Sequence, residues 1–366
     1  MINKLLRDIV IGVFVLMLQQ EGLLAQSSAP VNVVTSSVPF LQISPDSRSG
    51  GMGDVGVAVS PDANAIFRNQ AKTAFADSKF AIGANYIPWL KDVADGVSMT
   101  SLAGYYKLGK NEAVSGGLRY FNMGNINFTN DGTTILGSQR PREYSIEGGY
   151  ARKLDEHFGL GLTFRYINSS LIQGSVGGKE YKTGTAFAAD LSLFYQHKDS
   201  KGQGAAAGLT ISNLGSRIGY TNDNTNKSFL PANLCMGGAY TWVVEEDNKL
   251  TLAVDVNHLL VPAYDSTNGG ADYYHRSVLS GMGKSFGNKD FQAAAGMEYN
   301  YRNQFFARAG YHWETKEAGD LKFFSAGLGL KVSEWGFDFS YLAPSGQGVN
   351  RNPLSNTLRF SVLFEL

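Results

Sequence analysis

Several short patterns in this 366-residue chain have the residue types and spacing of known chemistry. Gly51-Met52-Gly53-Asp54-Val55-Gly56 fits GxGxxG, the turn that brings a backbone close to a dinucleotide pyrophosphate, which requires a buried strand before it and a helix after it. Pro45 and Pro61 bracket the run here, so it reads as a glycine-rich turn. Gly283-Lys284-Ser285-Phe286-Gly287 has the GxSxG spacing of a nucleophile elbow without the strand–turn–helix pattern around it. Lys284-Ser285 also matches the tail of a phosphate-binding loop, but Val278 stands where the first glycine belongs. His157, His197, His258, His275 and His312 show no HExxH spacing. A single cysteine, Cys235, excludes a disulfide scaffold and a cysteine-based zinc site. Asp46, Asp54 and Asp62 carry oxygens that suit calcium, but beside Pro45 and Pro61 they read more simply as turn caps. No nucleophile with an activating base can be assembled. The sequence assigns no catalytic residue, no metal site and no cofactor.

Nine other charges share a different logic. Arg119, Glu147, Arg165, Asp190, Asp255, Glu298, Arg308, Asp338 and Arg359 all fall on the polar faces of segments that alternate with a period of two. Charges enclosed on one face of a sheet must be solvated or paired, because an unpaired buried ion costs several kcal/mol. Four are positive and five negative, so the expectation is a salt-bridge network across an enclosed lumen rather than an ion-selective pore.

The elements that would hold them are strands. Phe158, Leu160, Leu162, Phe164 and Tyr166 oppose Gly159, Gly161, Thr163 and Arg165. Leu252, Val254 and Val256 oppose Ala253, Asp255 and Asn257, and Trp335, Phe337, Phe339 and Tyr341 alternate with Gly336, Asp338 and Ser340. Successive strand side chains point to opposite faces, giving each segment one greasy and one polar side. The segments run about nine to thirteen residues, the length of a tilted bilayer crossing and longer than sandwich strands. Apolar faces end in Tyr86, Tyr105, Tyr240, Trp242, Tyr299 and Trp313, as an interfacial aromatic girdle would. The fold class is therefore all-β, a transmembrane antiparallel barrel.

Segments begin near residues 79, 97, 112, 143, 157, 182, 203, 230, 247, 274, 290, 304, 321, 334 and 356. A bacterial barrel takes an even number. Long connections at 123–142, 171–181, 214–229 and 260–273 should be extracellular and short ones at 154–156, 198–202 and 244–246 periplasmic. That rhythm holds only if the segment at 274 does not span, which leaves fourteen strands and one long extracellular loop at 260–289.

Composition agrees. The chain has 32 basic and 32 acidic residues, 43 Gly and 44 aromatics, a balance that argues against both disorder and nucleic-acid binding. Lys4 and Arg7 precede an apolar run, Ile9 to Leu18, half the length of a membrane span. Residues 1–25 therefore read as a signal peptide, and the mature protein as exported. Residues 26–78, rich in small residues and in turns, separate signal from barrel, a length that suits a hatch or plug. Residues 79–366 form the barrel.

Within the hatch the run Val38-Pro39-Phe40-Leu41-x-Ile43-x-Pro45-Asp46-x-Arg48-x-Gly50-Gly51-Met52-Gly53-Asp54-x-Gly56 is followed by Ser60-Pro61-Asp62-Ala63-Asn64. With Tyr86-x-Pro88-Trp89, Arg308-Ala309-Gly310-Tyr311, Asp338-Phe339-Ser340-Tyr341 and Thr357-Leu358-Arg359-Phe360, it resembles the PorV (LptO) family of the type IX secretion system of Bacteroidetes, related to FadL-like barrels. The resemblance covers essentially the whole mature chain. It implies a fourteen-stranded outer-membrane barrel with an N-terminal hatch. It also implies a shuttle that takes secreted cargo, by its C-terminal signal domain, from a large translocon barrel to a surface attachment complex. A FadL-like transporter of hydrophobic molecules is the alternative. A lipopolysaccharide deacylase, the activity behind the LptO name, lacks a visible nucleophile. Where relatives carry Asn-Pro-Ala-Lys this chain has Asn69-Gln70-Ala71-Lys72, and the missing proline is expected to loosen that turn.

Overall fold

The computed structural model describes residues 34–89, 96–130, 134–176, 178–223, 227–245, 247–264, 271–345 and 357–366; the expected signal segment lies outside them. Eighteen strands follow in chain order. They are β1 (Phe80–Pro88), β2 (Val97–Lys107), β3 (Glu112–Met123), β4 (Ile126–Asn130), β5 (Thr134–Gln139), β6 (Arg142–Lys153), β7 (Phe158–Ser170), β8 (Gly174–Val176) and β9 (Lys179–Tyr181). There follow β10 (Gly184–Lys198), β11 (Gly204–Gly215), β12 (Asn233–Glu245), β13 (Asn248–Leu259), β14 (Phe291–Tyr301), β15 (Phe305–Glu314), β16 (Lys322–Val332), β17 (Trp335–Pro344) and β18 (Thr357–Glu365). Fourteen of them close one antiparallel barrel, sealed where β1 pairs β18 from Ala81↔Glu365 to Tyr86↔Phe360. The pairs β4–β5 and β8–β9 are separate hairpins, so the long connections 123–142 and 171–181 carry strand structure that their irregular sequence did not signal.

Each barrel strand begins within three residues of its expected start. The segment near 274 is helical: α2 spans Ala271–His275 and α3 spans Val278–Ser285, after a first helix, α1, at Ser47–Gly51. Among the described residues no helix is long and apolar enough to cross a membrane, so any crossing is made by the strands.

The wall has its large apolar residues outside. Leu160, Phe164, Phe187, Val254, Leu328 and Phe337 are exposed, whereas Thr163, Arg165 and Asp255 opposite them are buried. Such a wall is stable only against hydrocarbon. Tyr86, Tyr240, Trp242, Tyr299 and Trp313 lie outward as the girdle pattern requires, but Tyr105 does not. Its neighbour Tyr106 takes the outward position, and Tyr105 turns inward to pack with Ala63, Ala76 and Ala81. Two adjacent tyrosines give no periodicity signal, and register decides between them.

The core lies inside the barrel. Residues 34–78 run through it as α1, three short 3₁₀ turns (Pro39–Gln42, Ala65–Phe67 and Gln70–Phe75) and irregular chain. Phe40 and Leu41 pack with Ile87, Met99 and Ile167; Met52, Val55 and Val59 with Ala253 and Ala294; Phe75 with Ala151 and Phe194.

Candidate functional site

The inner segment is shaped by its own turn chemistry. Asp46 caps α1, its carboxylate accepting from the Ser49 N–H at 2.7 Å, with buried Pro45 leading in. The Ser47 N–H reaches out to Ser361 Oγ of β18 at 2.8 Å. After α1, Gly53 and Asp54 are both left-handed, φ 72° and 70°, which reverses the chain. A Cβ on Gly53 would sit 2.7 Å from the Tyr311 backbone, so only glycine fits there. Asp62 accepts from the Asn64 N–H at 2.9 Å, and Asn64 Oδ1 accepts from Asn85 Nδ2 of β1 at 2.7 Å. Pro61 stands partly exposed at the preceding turn.

The nine wall charges all point inward, and each meets a partner. On β3, β6, β7 and β10 they form a row. Arg119 donates to Glu147 at 2.6 and 2.9 Å, Arg165 to Glu147 at 2.9 Å, and Arg165 to Asp190 at 2.8 and 3.0 Å. Arg119 also donates to the Leu41 carbonyl of the inner segment at 2.9 Å. A second row joins Arg308 to Glu298 at 2.8 Å and to Asp338 at 2.5 Å. There Arg48 of the inner segment adds two bonds to Glu298, each 2.9 Å, and one to Asp62 at 3.1 Å. Arg359 holds Asp54 at 2.5 and 3.2 Å, and Arg68 donates to the Asp54 carbonyl at 2.5 Å. Among the described residues Asp255 pairs with no arginine; it accepts from the backbone N–H groups of Gly56 and Val57 at 2.7 and 3.0 Å. The charges therefore run along the wall between neighbouring strands and inward to the segment. Burying such ions is favourable only when every one is paired.

One support had no sequence signal. Asn213, left-handed at φ 58°, sits where the β10–β11 pairing shifts register; its N–H donates to Asp190 at 2.7 Å and its side-chain oxygen accepts from Arg165. A bulge thus aims an amide into the first row.

The excess of glycine also finds its place here. A Cβ would lie 2.1 Å from Met52 at Gly310, 2.4 Å from Met52 at Gly296, 2.4 Å from Ala71 at Gly161 and 2.4 Å from Val57 at Gly208. Gly50 and Gly51 face Arg359 and Gly327 at 2.7 and 3.0 Å in the same sense. Glycine on both surfaces lets backbone lie against backbone. Asn69-Gln70-Ala71-Lys72 is held firmly rather than loosened. Asn69 caps the turn and donates to Val57 and Leu193 carbonyls at 3.0 Å each, while Gln70 donates to Ser115 Oγ of β3 at 2.9 Å. A proline would lack that side-chain bond to the wall. Lys72 is buried, its Nζ donating to the Gly56 carbonyl at 2.7 Å, and burial pulls its ammonium down to about 8.

Space remains on both sides of the segment. Toward the long loops lies a cavity of about 390 Å³, with Phe40, Phe67, Trp89 and Phe121 on part of its lining and, elsewhere, arginines such as Arg119 and Arg165 beside Asp190 and Glu314. Toward the short turns a polar vestibule of about 720 Å³ is lined by Asp77, Lys198, Lys249 and Lys331. Among the described residues no three His, Cys, Asp or Glu side chains converge as metal ligands. Ser285 of the GxSxG match lies inside α3 and spends its hydroxyl on the Met282 carbonyl at 2.7 Å. In the GxGxxG match the Gly53 and Gly56 N–H groups are taken by Ser325 and Asp255. Cys235 is buried. What the arrangement can do is bind and hold.

A family model for the type IX secretion system protein PorV matches residues 26–266. No curated protein matches the sequence. Among solved structures the chain is similar to the Ralstonia pickettii toluene transporter TbuX, at 12% identity and a TM-score of 0.50 over 88% of this chain and 97% of that one. It is similar also to the P. putida toluene transporter TodX, at 13% identity and a TM-score of 0.51 over 88% and 98%. The CymD monoaromatic hydrocarbon channel matches at 14% identity and a TM-score of 0.52 over 88% and 97%. At these identities the likeness shows the barrel fold.

Proposed function

The chain belongs to the PorV family of type IX secretion system proteins, and on that footing we propose that it is the outer-membrane shuttle component of such a system. It is an outer-membrane β-barrel. In this reading it receives secreted cargo, through the cargo's C-terminal signal domain, from a large translocon barrel and passes it to attachment-complex proteins at the surface. Residues 26–78 act as a hatch, and outer-membrane lipid surrounds the outward face. The long connections 123–142, 214–229 and 260–289 face outside and, with the rim, recognise cargo.

The family match carries this reading. The interior is in keeping with it: a lumen crossed by a segment tied through Arg48, Asp54 and the Gly56 and Val57 amides suits a carrier better than an open conduit. No reaction is assigned to it, and it is read as a non-enzymatic protein.

A FadL-like transporter of hydrophobic small molecules is the second reading, favoured by the aromatic part of the 390 Å³ cavity. The polar part of the same lining, where Asp190, Asn213, Asn233, Asn257 and Glu314 stand beside the arginines, weighs against it, because a dry apolar ligand would cover polar groups without bonding them.

The test replaces residues 263–288 by a short Gly-Ser linker between β13 and β14, which pair directly. The barrel should still fold, as read by heat-modifiable mobility, while cargo release fails. Unchanged secretion from a folded barrel would refute the role given to that loop.

A further inference from the structure

Helix α3 carries a second apolar side beyond the one that packs on protein. Its buried residues are Gly281 and Ser285, one turn apart, and the face they form rests on Phe229 and Pro262. Val278 packs beside them against the Phe229 and Tyr273 cluster, but the two largest apolar side chains point away: Leu279 is 81% exposed, and Phe286 at the C-cap is 67% exposed. Residues 279 and 286 are seven apart and lie on one stripe, with the half-buried Met282 between them. Ser280 and Lys284, both exposed, occupy a separate polar face. A short helix that packs Val278, Gly281 and Ser285 against protein while presenting leucine and phenylalanine on another side has apolar surroundings to meet there.

The position of the helix identifies that solvent. His258 and Phe291 are directly paired across β13 and β14, and their rings stack at 5.0 Å. Both share the parity of the outward residues Leu252, Val254, Val256, Met297 and Tyr299, which face the hydrocarbon. Yet His258 is only 6% exposed: Phe291 stacks on it, Asp290 lies 3.0 Å from its Nδ1, and the Phe286 ring covers it at 5.6 Å. The C-terminal end of α3 is therefore draped over the outside of the barrel, and its stripe continues the lipid-facing wall through Phe291. Helices with an apolar stripe beside a Ser/Lys face are the kind that lie in a membrane interface.

We propose that α3 is an interfacial helix, with Leu279 and Phe286 seated in the acyl layer of the leaflet at the long-loop end of the barrel. It thereby fixes how deep the 260–289 connection sits. The inference rests on the barrel's place in the membrane and is independent of the shuttle reading.

The test uses the full chain in vesicles of phosphatidylethanolamine and phosphatidylglycerol. Leu279→Cys, Phe286→Cys and Ser280→Cys are each made with Cys235→Ser and labelled with a polarity-sensitive fluorophore. Folding is checked by heat-modifiable mobility, and should Phe286→Cys misfold, Leu279→Cys carries the test alone. Labels at 279 and 286 should emit at shorter wavelength and lose intensity with doxyl-labelled acyl chains but not with aqueous iodide; the label at 280 should show the reverse. Quenching of 279 and 286 by iodide would overturn the proposal. Protection from both quenchers would also overturn it and assign the stripe to a protein contact.

Discussion

Arg359 and Asp54, 305 positions apart in sequence, are joined by two hydrogen bonds of 2.5 and 3.2 Å. Arg359 belongs to β18, the strand that closes the barrel on β1, and Asp54 to the left-handed turn of the inner segment. Closure of the wall and placement of the segment therefore share one contact. Burial pushes the Asp54 carboxyl up, but Arg359 and then Arg68 outweigh it and hold it below the usual carboxylate range.

Breaking that contact on one side should be costly. Asp54→Asn leaves the Arg359 guanidinium, its side chain 2% exposed, without its counter-ion. Stability should fall by about 3–5 kcal/mol, read as a lower midpoint for the heat-modifiable gel shift. Asp54→Asn with Arg359→Leu should lose less than the two single changes summed. Additive losses would contradict the coupling.

Glycines that face the segment should be intolerant, and those that face lipid indifferent. Gly310→Ala places a carbon 2.1 Å from the Met52 backbone, so the segment must shift and become open to protease. Gly148→Ala and Gly116→Ala meet nothing within 4 Å and should leave proteolysis unchanged. Equal behaviour of the two classes would show that the glycines do not seat the segment.

Lys72 gives the segment a pH dependence. Its pKa falls from 10.5 to about 8 on burial, so folding disfavours the charged form by roughly 3 kcal/mol. The penalty is complete below pH 8 and disappears above pH 10.5. Amide exchange in residues 65–76 should therefore slow as pH rises through that window, once corrected for intrinsic rates. Lys72→Met should abolish the slope, and a slope that survives it must come from another group.

Gln70→Pro removes the side-chain bond from this turn to the wall. Asn69 before it is extended (φ −153°, ψ 99°), as a residue preceding proline must be, and position 70 opens a 3₁₀ turn. The variant should fold and lose about 1 kcal/mol, the worth of the bond from Gln70 to Ser115. A gain in stability would mean that the wall bond contributes nothing.

The barrel was legible because strands that separate lipid from lumen must alternate; β7 and β17 keep the period along their length, and β13 keeps it from Leu252 to Val256. The inward charges were legible for the same reason; their partners were not. Glu147 faces Arg165 and Glu298 faces Arg308 only because of strand register, which comes from hydrogen bonding across the whole wall. Asp255 shows the limit most clearly. It looks like one more member of an ionic network, yet its partners are two backbone amides of the inner segment. Likewise Gly161, Gly208, Gly296 and Gly310 read as ordinary small residues until the chain they admit is in place. The outward side of α3 was hidden because Gly283-Lys284-Ser285 invites a motif reading, whereas burial of Gly281 and Ser285 sets its orientation.

The central claim is that this barrel carries secreted protein. It is tested most directly by recovering the tagged protein from its own outer membrane in gentle detergent and identifying what comes with it by mass spectrometry. The account predicts a very large barrel, or secreted proteins sharing a C-terminal domain. Recovery of the barrel alone with bound fatty acid or another apolar small molecule would contradict it and establish the transporter reading instead.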